Sequence, residues 1–346
     1  MNILGIETSC DETAAAVVED GSRILSNVVA NQFDLHRPFG GVVPEVAARA
    51  HTERITAVID EAMTIASCTP AQLDGIAVVN GPGLVGALLV GISAAKSLAI
   101  AWDKPLVGIN HILGHVYAAI LAGFNRFPHV SLIVSGGHTC LYRVNNLTDI
   151  VVLGQTTDDA AGEAFDKVAK MLNLGFPGGP ALSKLADQAR PDQRKFFLNI
   201  NKKLDDTSKE GALSLNFSFS GLKTAVYYNL RGTTYGRGPL RVLTEDERAE
   251  VAASFQEVAC EMMVSRALAA CARENIRALT IGGGVACNRR LREMLKERAA
   301  GTEVFFPPPE LCSDNAAMSA GLAFHRLRKN EHDTLDLDAD PTPSRA

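Results

Sequence analysis

Two histidines one helical turn apart are the natural place to look for chemistry in this sequence. In Asn110-His111-Ile112-Leu113-Gly114-His115 the asparagine is a good helix N-cap, and the apolar run from Val116 to Phe124 continues the helix. At i and i+4 both imidazoles project from one face, close enough to grip a single divalent metal. Two ligands do not fill a coordination sphere, so a third must come from elsewhere in the chain. The spacing is half of the H-E-x-x-H protease signature, but Ile112 stands where that chemistry needs a glutamate to take a proton from metal-bound water. Asp314 follows the stretch Pro307-Pro308-Pro309 at a helix start, where the local pattern favours an N-cap, although it is also the natural third ligand. Two histidines and one carboxylate leave open positions, which suits iron(II) or zinc acting as a Lewis acid.

A second group of candidates lies in turns of small residues: Thr8 to Glu12, Ser135 to Thr139, Pro177 to Pro180 and Gly282 to Gly284. Such turns present backbone N–H groups, and together they point to a nucleotide whose phosphates lie in a cleft. None matches G-x-x-x-x-G-K-[ST] or G-x-G-x-x-G, which disfavours the P-loop and Rossmann folds. The basic helix after Asn288 (Arg289, Arg290, Arg292, Lys296, Arg298) and the lysines at 167, 170, 202 and 203 are candidate phosphate contacts if a polyanion is bound.

The elements that must position these residues follow from periodicity. Asn2 to Ile6 and Thr13 to Val18 predict a hairpin around the polar turn Glu7 to Glu12, with a third strand over Ile24 to Val29. Pro44 opens a helix to about Ala66, Ile76 to Val79 is a buried strand, and Gly81-Pro82-Gly83 turns it into the Leu84 helix. Val130 to Val134 and Cys140 to Val144 then repeat the strand, turn, strand pattern about 130 residues on, which predicts two similar lobes with their turns facing a cleft. Thr156 to Leu174 reads as a helix with Asp158 and Asp159 at its front, ended by Gly175. Thr244-Glu245-Asp246-Glu247 is a capping box opening a long helix to about Asn275. Leu279 to Ile281 and Val304 to Phe306 read as strands, and a last helix runs from Asn315 to Arg328. The acidic stretch from His332 lacks a core pattern and is expected to be disordered.

A chain of 346 residues, 47% hydrophobic and 21% charged, fits a globular enzyme of two domains. The formal charge of −5 excludes a generally basic nucleic-acid binder, so any such contact needs a local patch. Seven dispersed cysteines without a C-x-x-C pair point to reduced thiols in a reducing compartment. Leu84 to Ala101 contains Lys96, two serines and two glycines and reads as a helix buried in a protein core, not as a membrane span. The expected location is the cytoplasm.

Five stretches, in order, resemble the TsaD family of tRNA adenosine threonylcarbamoyltransferase subunits: Gly5-Ile6-Glu7-Thr8-Ser9-Cys10-Asp11-Glu12-Thr13, His111-Ile112-Leu113-Gly114-His115, Ser135-Gly136-Gly137-His138-Thr139, Phe217-Ser218-Phe219-Ser220-Gly221-Leu222-Lys223 and Ser313-Asp314-Asn315-Ala316. The resemblance implies an α/β fold of the actin-like, sugar-kinase-like kind, two similar lobes around a nucleotide cleft. With it go domain limits of 1–104 plus the helix 314–328 for the first lobe, 105–313 for the second with an irregular insertion at 190–241, and a tail at 332–346. It implies transfer of a threonylcarbamoyl group from threonylcarbamoyl-adenylate to N6 of the adenosine 3′ of the anticodon in tRNAs reading ANN codons, releasing AMP. By that likeness His111, His115 and Asp314 hold one divalent metal, iron(II) in preference to zinc. Val134, Ser135, Gly136, Gly137, His138, Asp166, Gly179 and Asn288 hold the adenylate, and Asp11 and Glu12 lie near the reacting centre. The implied partners are tRNA, the adenylate, and TsaB-like and TsaE-like proteins, with no membrane. A small-molecule kinase of the same fold class gives the histidine pair no job, and a non-catalytic scaffold predicts that changing His111 spares transfer.

Overall fold

The computed structural model describes residues 1–190, 213–231 and 241–342. Lys202, Lys203 and most of the insertion expected at 190–241, including all of 232–239, therefore lie outside the described residues. In chain order the main elements are strands β1 (Asn2–Glu7), β2 (Glu12–Glu19) and β3 (Arg23–Asn31), helix α1 (Pro44–Ile65), β4 (Gly75–Gly81), α2 (Val85–Trp102), β5 (Leu106–Asn110) and α3 (His111–Leu121). They continue with β6 (His129–Val134), β7 (Thr139–Asn146), β8 (Asp149–Gln155), α4 (Ala161–Met171), α5 (Gly178–Ala186), α6 (Ser220–Arg231) and α7 (Glu245–Glu274). Last come β9 (Ala278–Gly282), α8 (Arg289–Arg298), β10 (Glu303–Phe305) and α9 (Ala316–Leu327).

The chain divides into two compact units, Met1–Asn125 with Pro307–Ala346, and Arg126–Phe306. Each is built on one five-stranded mixed sheet. The first has the order β3-β2-β1-β4-β5 and the second β10-β9-β6-β7-β8, which is the same order read from the other edge. In both, an antiparallel meander of three strands is joined edge to edge by two parallel strands, β1 to β4 and β6 to β9. Parallel neighbours need a crossover, supplied here by helices that cover the sheets. The pattern of two similar hairpins thus corresponds to a duplicated topology, and β8, a strand not expected from the sequence, completes the second meander.

Four expectations change. The units divide at 125/126 and 306/307, not at 104/105 and 313/314, because β5 pairs in parallel with β4 and α3 packs on α9. The helix expected from Thr156 starts at Ala161, and Asp158 instead accepts from the N–H groups of Phe219 (2.8 Å) and Ser220 (3.2 Å) at the start of α6. Helix α2 is not a fully buried core helix. Leu88, Ile92, Ala95 and Ala99 are buried, while Val85, Leu89 and Ile100 are 53%, 44% and 66% exposed. It is also the one helix among the described residues long and apolar enough to cross a membrane.

The acidic tail, at least to its described end, is docked. Asp333 N–H donates to Leu106 O (2.8 Å), Asp333 Oδ2 accepts from Gly108 N–H (2.7 Å), and Arg326 forms an ion pair with the same carboxylate (3.0 Å). Further on, Asp340 N–H donates to Asn80 O (2.7 Å). An edge strand offers a row of unpaired backbone groups, and here the tail occupies part of that of β5. These contacts run through the backbone and one carboxylate, so they leave no apolar periodicity to read.

Candidate functional site

In the first unit the local chemistry is set by where β1, β5 and α9 end. Asn110, the last residue of β5, caps α3: its Oδ1 accepts from Ile112 N–H (2.9 Å) and Leu113 N–H (3.1 Å). The helix therefore starts at His111, and His111 and His115 are 4% and 1% exposed. At the other end of the unit Asn315, not Asp314, caps α9 by accepting from Met318 N–H (3.1 Å). That frees the Asp314 carboxylate to face the histidines. Asp314 Oδ1 lies 3.1 Å from His115 Nε2 and 3.6 Å from His111 Nε2. One ligand atom from each of the three falls within 4.8 Å of the others, and this trio is the group of metal-ligating type found among the described residues.

The donor set fits a divalent transition metal on the structure's own terms. Two imidazole nitrogens and one carboxylate oxygen converge, which suits iron or zinc better than calcium or magnesium. Acids also crowd the same region. Burial, then the negative charges of Asp314 and Asp11, push the Glu12 carboxyl well above its ordinary range. Burial and Asp314 likewise raise Asp11, against a lowering contact from Cys10. A cation relieves that repulsion. Burial opposes charge on His111, but the carboxylates of Asp314 and Glu7 outweigh it and raise its pKa to about 9 in the metal-free chain.

Thr8, Ser9, Asp11 and Glu12 occupy the β1–β2 turn, which is braced from two sides. Thr8 Oγ1 donates to Ala87 O of α2 (2.9 Å), where a Cβ at Gly91 would lie 2.3 Å from that hydroxyl. His51 Nε2 lies 3.0 Å from Cys10 O, and its Nδ1 is 2.8 Å from Thr13 Oγ1. Sequence reasoning assigned Glu7 no role. Its Oε2 lies 2.9 Å from His111 Nδ1, and the one available signal was a carboxylate closing the apolar run Ile3 to Ile6.

The second unit gathers the remaining candidates. Ser135 N–H donates to His138 O (2.8 Å) and Ser135 Oγ accepts from His138 N–H (3.1 Å), so the turn closes on itself and the exposed Gly136 and Gly137 carry its remaining backbone N–H groups. Asp166 Oδ1 accepts from Gly178 N–H (2.8 Å) and Gly179 N–H (3.1 Å), which ties Asp166 to the start of α5. Val134 is buried at the end of β6, one residue before this turn. Asn288 is engaged structurally: its Oδ1 accepts from Leu291 N–H (3.1 Å) and its amide donates to Gln256 Oε1 (2.9 Å). Three of the five basic side chains of α8 pair with acids of the same unit, Arg289 with Asp187 (2.6 Å), Arg290 with Glu257 (2.8 Å) and Arg298 with Glu261, while Arg292 and Lys296 lie over the Phe306 ring. Lys167 and Lys223 both bind Asp159, at 2.7 and 2.6 Å.

Two units with the same strand order, each opening its meander on a small-residue turn, define the actin-like, sugar-kinase-like class of α/β proteins. Solved structures agree at the level of fold: component A of the Acidaminococcus fermentans (R)-2-hydroxyglutaryl-CoA dehydratase aligns over 95% of this chain and 99% of its own, at TM-score 0.55 and 15% identity. HypF of T. kodakarensis aligns over 94% of this chain and 47% of its own, at TM-score 0.57 and 14% identity. Sequence comparison goes further. The model of the TsaD family, described as tRNA N6-adenosine threonylcarbamoyltransferase, matches residues 23–321. The enzyme of that name from Anaeromyxobacter dehalogenans strain 2CP-C is 50% identical over 98% of both chains, and that of Moorella thermoacetica is 48% identical over 98% of this chain and 96% of its own. The chain belongs to the TsaD family of tRNA N6-adenosine threonylcarbamoyltransferases and is a transferase acting in tRNA modification.

Proposed function

We propose that the chain transfers the threonylcarbamoyl group from threonylcarbamoyl-adenylate to N6 of the adenosine 3′ of the anticodon in tRNAs reading ANN codons. The observation that carries the reading is the convergence of His111 and His115 Nε2 on Asp314 Oδ1, in a chain of this family. These three residues would hold one divalent metal, iron(II) in preference to zinc. When bound, it supplies Lewis acidity that makes the carbamoyl carbonyl more electrophilic and stabilises departing phosphate charge, effects worth about several kcal/mol.

An exocyclic adenine amine is a weak nucleophile because its lone pair is delocalised into the ring. As its nitrogen bonds to the carbamoyl carbon, the acyl–phosphate C–O bond breaks, AMP leaves with that electron pair, and the amine loses a proton. Asp11 or Glu12 accepts that proton. Burial raises both carboxyls, which makes each a stronger base than an exposed acid. The N–H groups of Gly136 and Gly137 donate to the phosphate of the adenylate. Val134, Ser135, His138, Asp166, Gly179 and Asn288 hold the adenylate, the first three through the β6–β7 turn and Asp166 by fixing Gly179. The apolar residues exposed on α2, Val85, Leu89 and Ile100, support a protein partner of the TsaB-like kind on the first unit, and a TsaE-like ATPase completes the proposed assembly. The cytoplasm is the proposed compartment, in keeping with a tRNA substrate.

The test is single-turnover transfer from synthetic adenylate to unmodified tRNA, with partner proteins present. His111→Ala is expected to lose transfer while still binding nucleotide; equal activity in the variant would return the chain to a scaffold role. Unchanged transfer in both Asp11→Ala and Glu12→Ala would remove the proposed base.

A further inference from the structure

We infer that Glu7 is a positioning residue for the metal centre: it fixes the tautomer and ring orientation of His111. The inference rests on the metal reading above and assigns a residue outside the ligand trio.

Glu7 closes β1 and is 0% exposed, a place where a carboxylate is retained only if its oxygens are satisfied. Both are. Oε1 accepts from Ser9 N–H at 2.6 Å, and Oε2 lies 2.9 Å from His111 Nδ1. An ionised carboxylate has acceptors and no donor, so the facing ring nitrogen must carry the proton. With Nδ1 held as the donor to Glu7, Nε2 is the nitrogen left for a metal to take in place of a proton, and Nε2 faces Asp314 at 3.6 Å. A histidine ligand commonly gives its other N–H to a carboxylate, and loss of such a partner typically costs 10- to 100-fold in metal affinity.

Ser9 Oγ lies 3.2 Å from the same Nδ1, but a hydroxyl both donates and accepts and so imposes no tautomer. Glu7 does impose one, because the Ser9 N–H fixes which oxygen is left for the ring. Glutamine at this site cannot reproduce the arrangement. With its carbonyl oxygen on Ser9 N–H, its amide N–H faces Nδ1 and favours the Nε2–H tautomer, which cannot ligate. Flipped, it sets two donors against each other at Ser9.

The experiment titrates zinc alone into wild type, Glu7→Gln, Ser9→Ala and His111→Ala by calorimetry, with circular dichroism to follow folding. Wild type should bind one equivalent, His111→Ala should lose it, Glu7→Gln should bind about 10- to 100-fold more weakly, and Ser9→Ala should stay within about threefold of wild type. Equal zinc affinity in Glu7→Gln and wild type overturns the role of Glu7 while leaving the metal reading intact. Zinc binding that His111→Ala does not disturb overturns the metal reading and this inference with it. Should Glu7→Gln fail to fold, 15N NMR of zinc-loaded, histidine-labelled wild type decides: a protonated Nδ1 with a metal-bound Nε2 at His111 supports the inference, and metal on Nδ1 overturns it.

Discussion

Gly5→Ala is the sharpest test of how the fold delivers Asp314 to its site. Gly5 lies in β1 directly under the start of α9, and a Cβ there would sit 2.3 Å from Ala316 O and 3.0 Å from Ala320 Cβ. Ordinary contact begins near 3.4 Å, so the helix must retreat by about 1 Å (3.4 − 2.3 = 1.1) or β1 must give way. Interiors are close-packed and transmit such shifts instead of absorbing them. Overpacking of this kind costs roughly 1–3 kcal/mol. For a domain of this size each kcal/mol moves the melting temperature by about 2–4 °C, so Tm should fall by about 2–12 °C. Asp314 stands two residues before Ala316, and Glu7 two residues after Gly5. Metal–ligand distances tolerate only about 0.2 Å, so zinc affinity should fall with Tm. Thermal unfolding by circular dichroism and zinc calorimetry measure both. Gly41, with nothing within 4 Å of its Cβ position, is the control, and Gly41→Ala should leave Tm unchanged or slightly higher. A Gly5→Ala protein with wild-type Tm and wild-type zinc affinity would refute the claim that close approach of α9 to β1 sets the ligand geometry.

Three further outcomes are expected. Burial lowers the pKa of His129 to about 4, so its neutral form stabilises the fold fully above the unfolded value near 6.5; that stability is lost as pH falls from 6.5 toward 4, by about 3 kcal/mol, and urea unfolding across this range should show a flatter profile for His129→Gln. Asp333→Ala, by removing acceptors from Gly108 N–H and Arg326, should cost about 1–3 kcal/mol and expose the tail to limited proteolysis; a cleavage pattern unchanged from wild type would count against the docked tail. Asn110→Ala removes the cap of α3 and should cost about 1 kcal/mol in chemical denaturation, an effect that a Ser replacement largely restores.

What the residues reveal locally and what they conceal divides along sequence distance. The i, i+4 spacing of His111 and His115, the Asn110 cap and the Thr244–Glu247 capping box all act within a few residues, and each is found as its pattern requires, with Thr244 N–H donating to Glu247 Oε2 at 2.9 Å. The two hairpins were legible because strand alternation and small-residue turns are local too, and their equivalence became a shared strand order only through the pairing of β1 with β4 and β6 with β9. Asp314 was ambiguous in the sequence because a cap and a ligand look alike beside Asn315; which residue caps is decided by the backbone geometry at the start of α9. Glu7 stayed silent because its partner lies 104 residues away, and its meaning comes from β1 and β5 ending on the same side of the sheet with β4 between them. The docked tail was missed for the same kind of reason: Asp333 and Asp340 hold it by hydrogen bonds to β5 and to Asn80, and such contacts leave no hydrophobic period. The sequence by itself determined the two hairpins, the caps at Asn110 and Thr244 and the paired histidines, because short-range sterics and hydrogen bonding suffice for those. Only the tertiary structure decided the third ligand, the carboxylate behind His111 and the limits of each unit, because those depend on parallel pairing and helix packing between residues far apart in the chain.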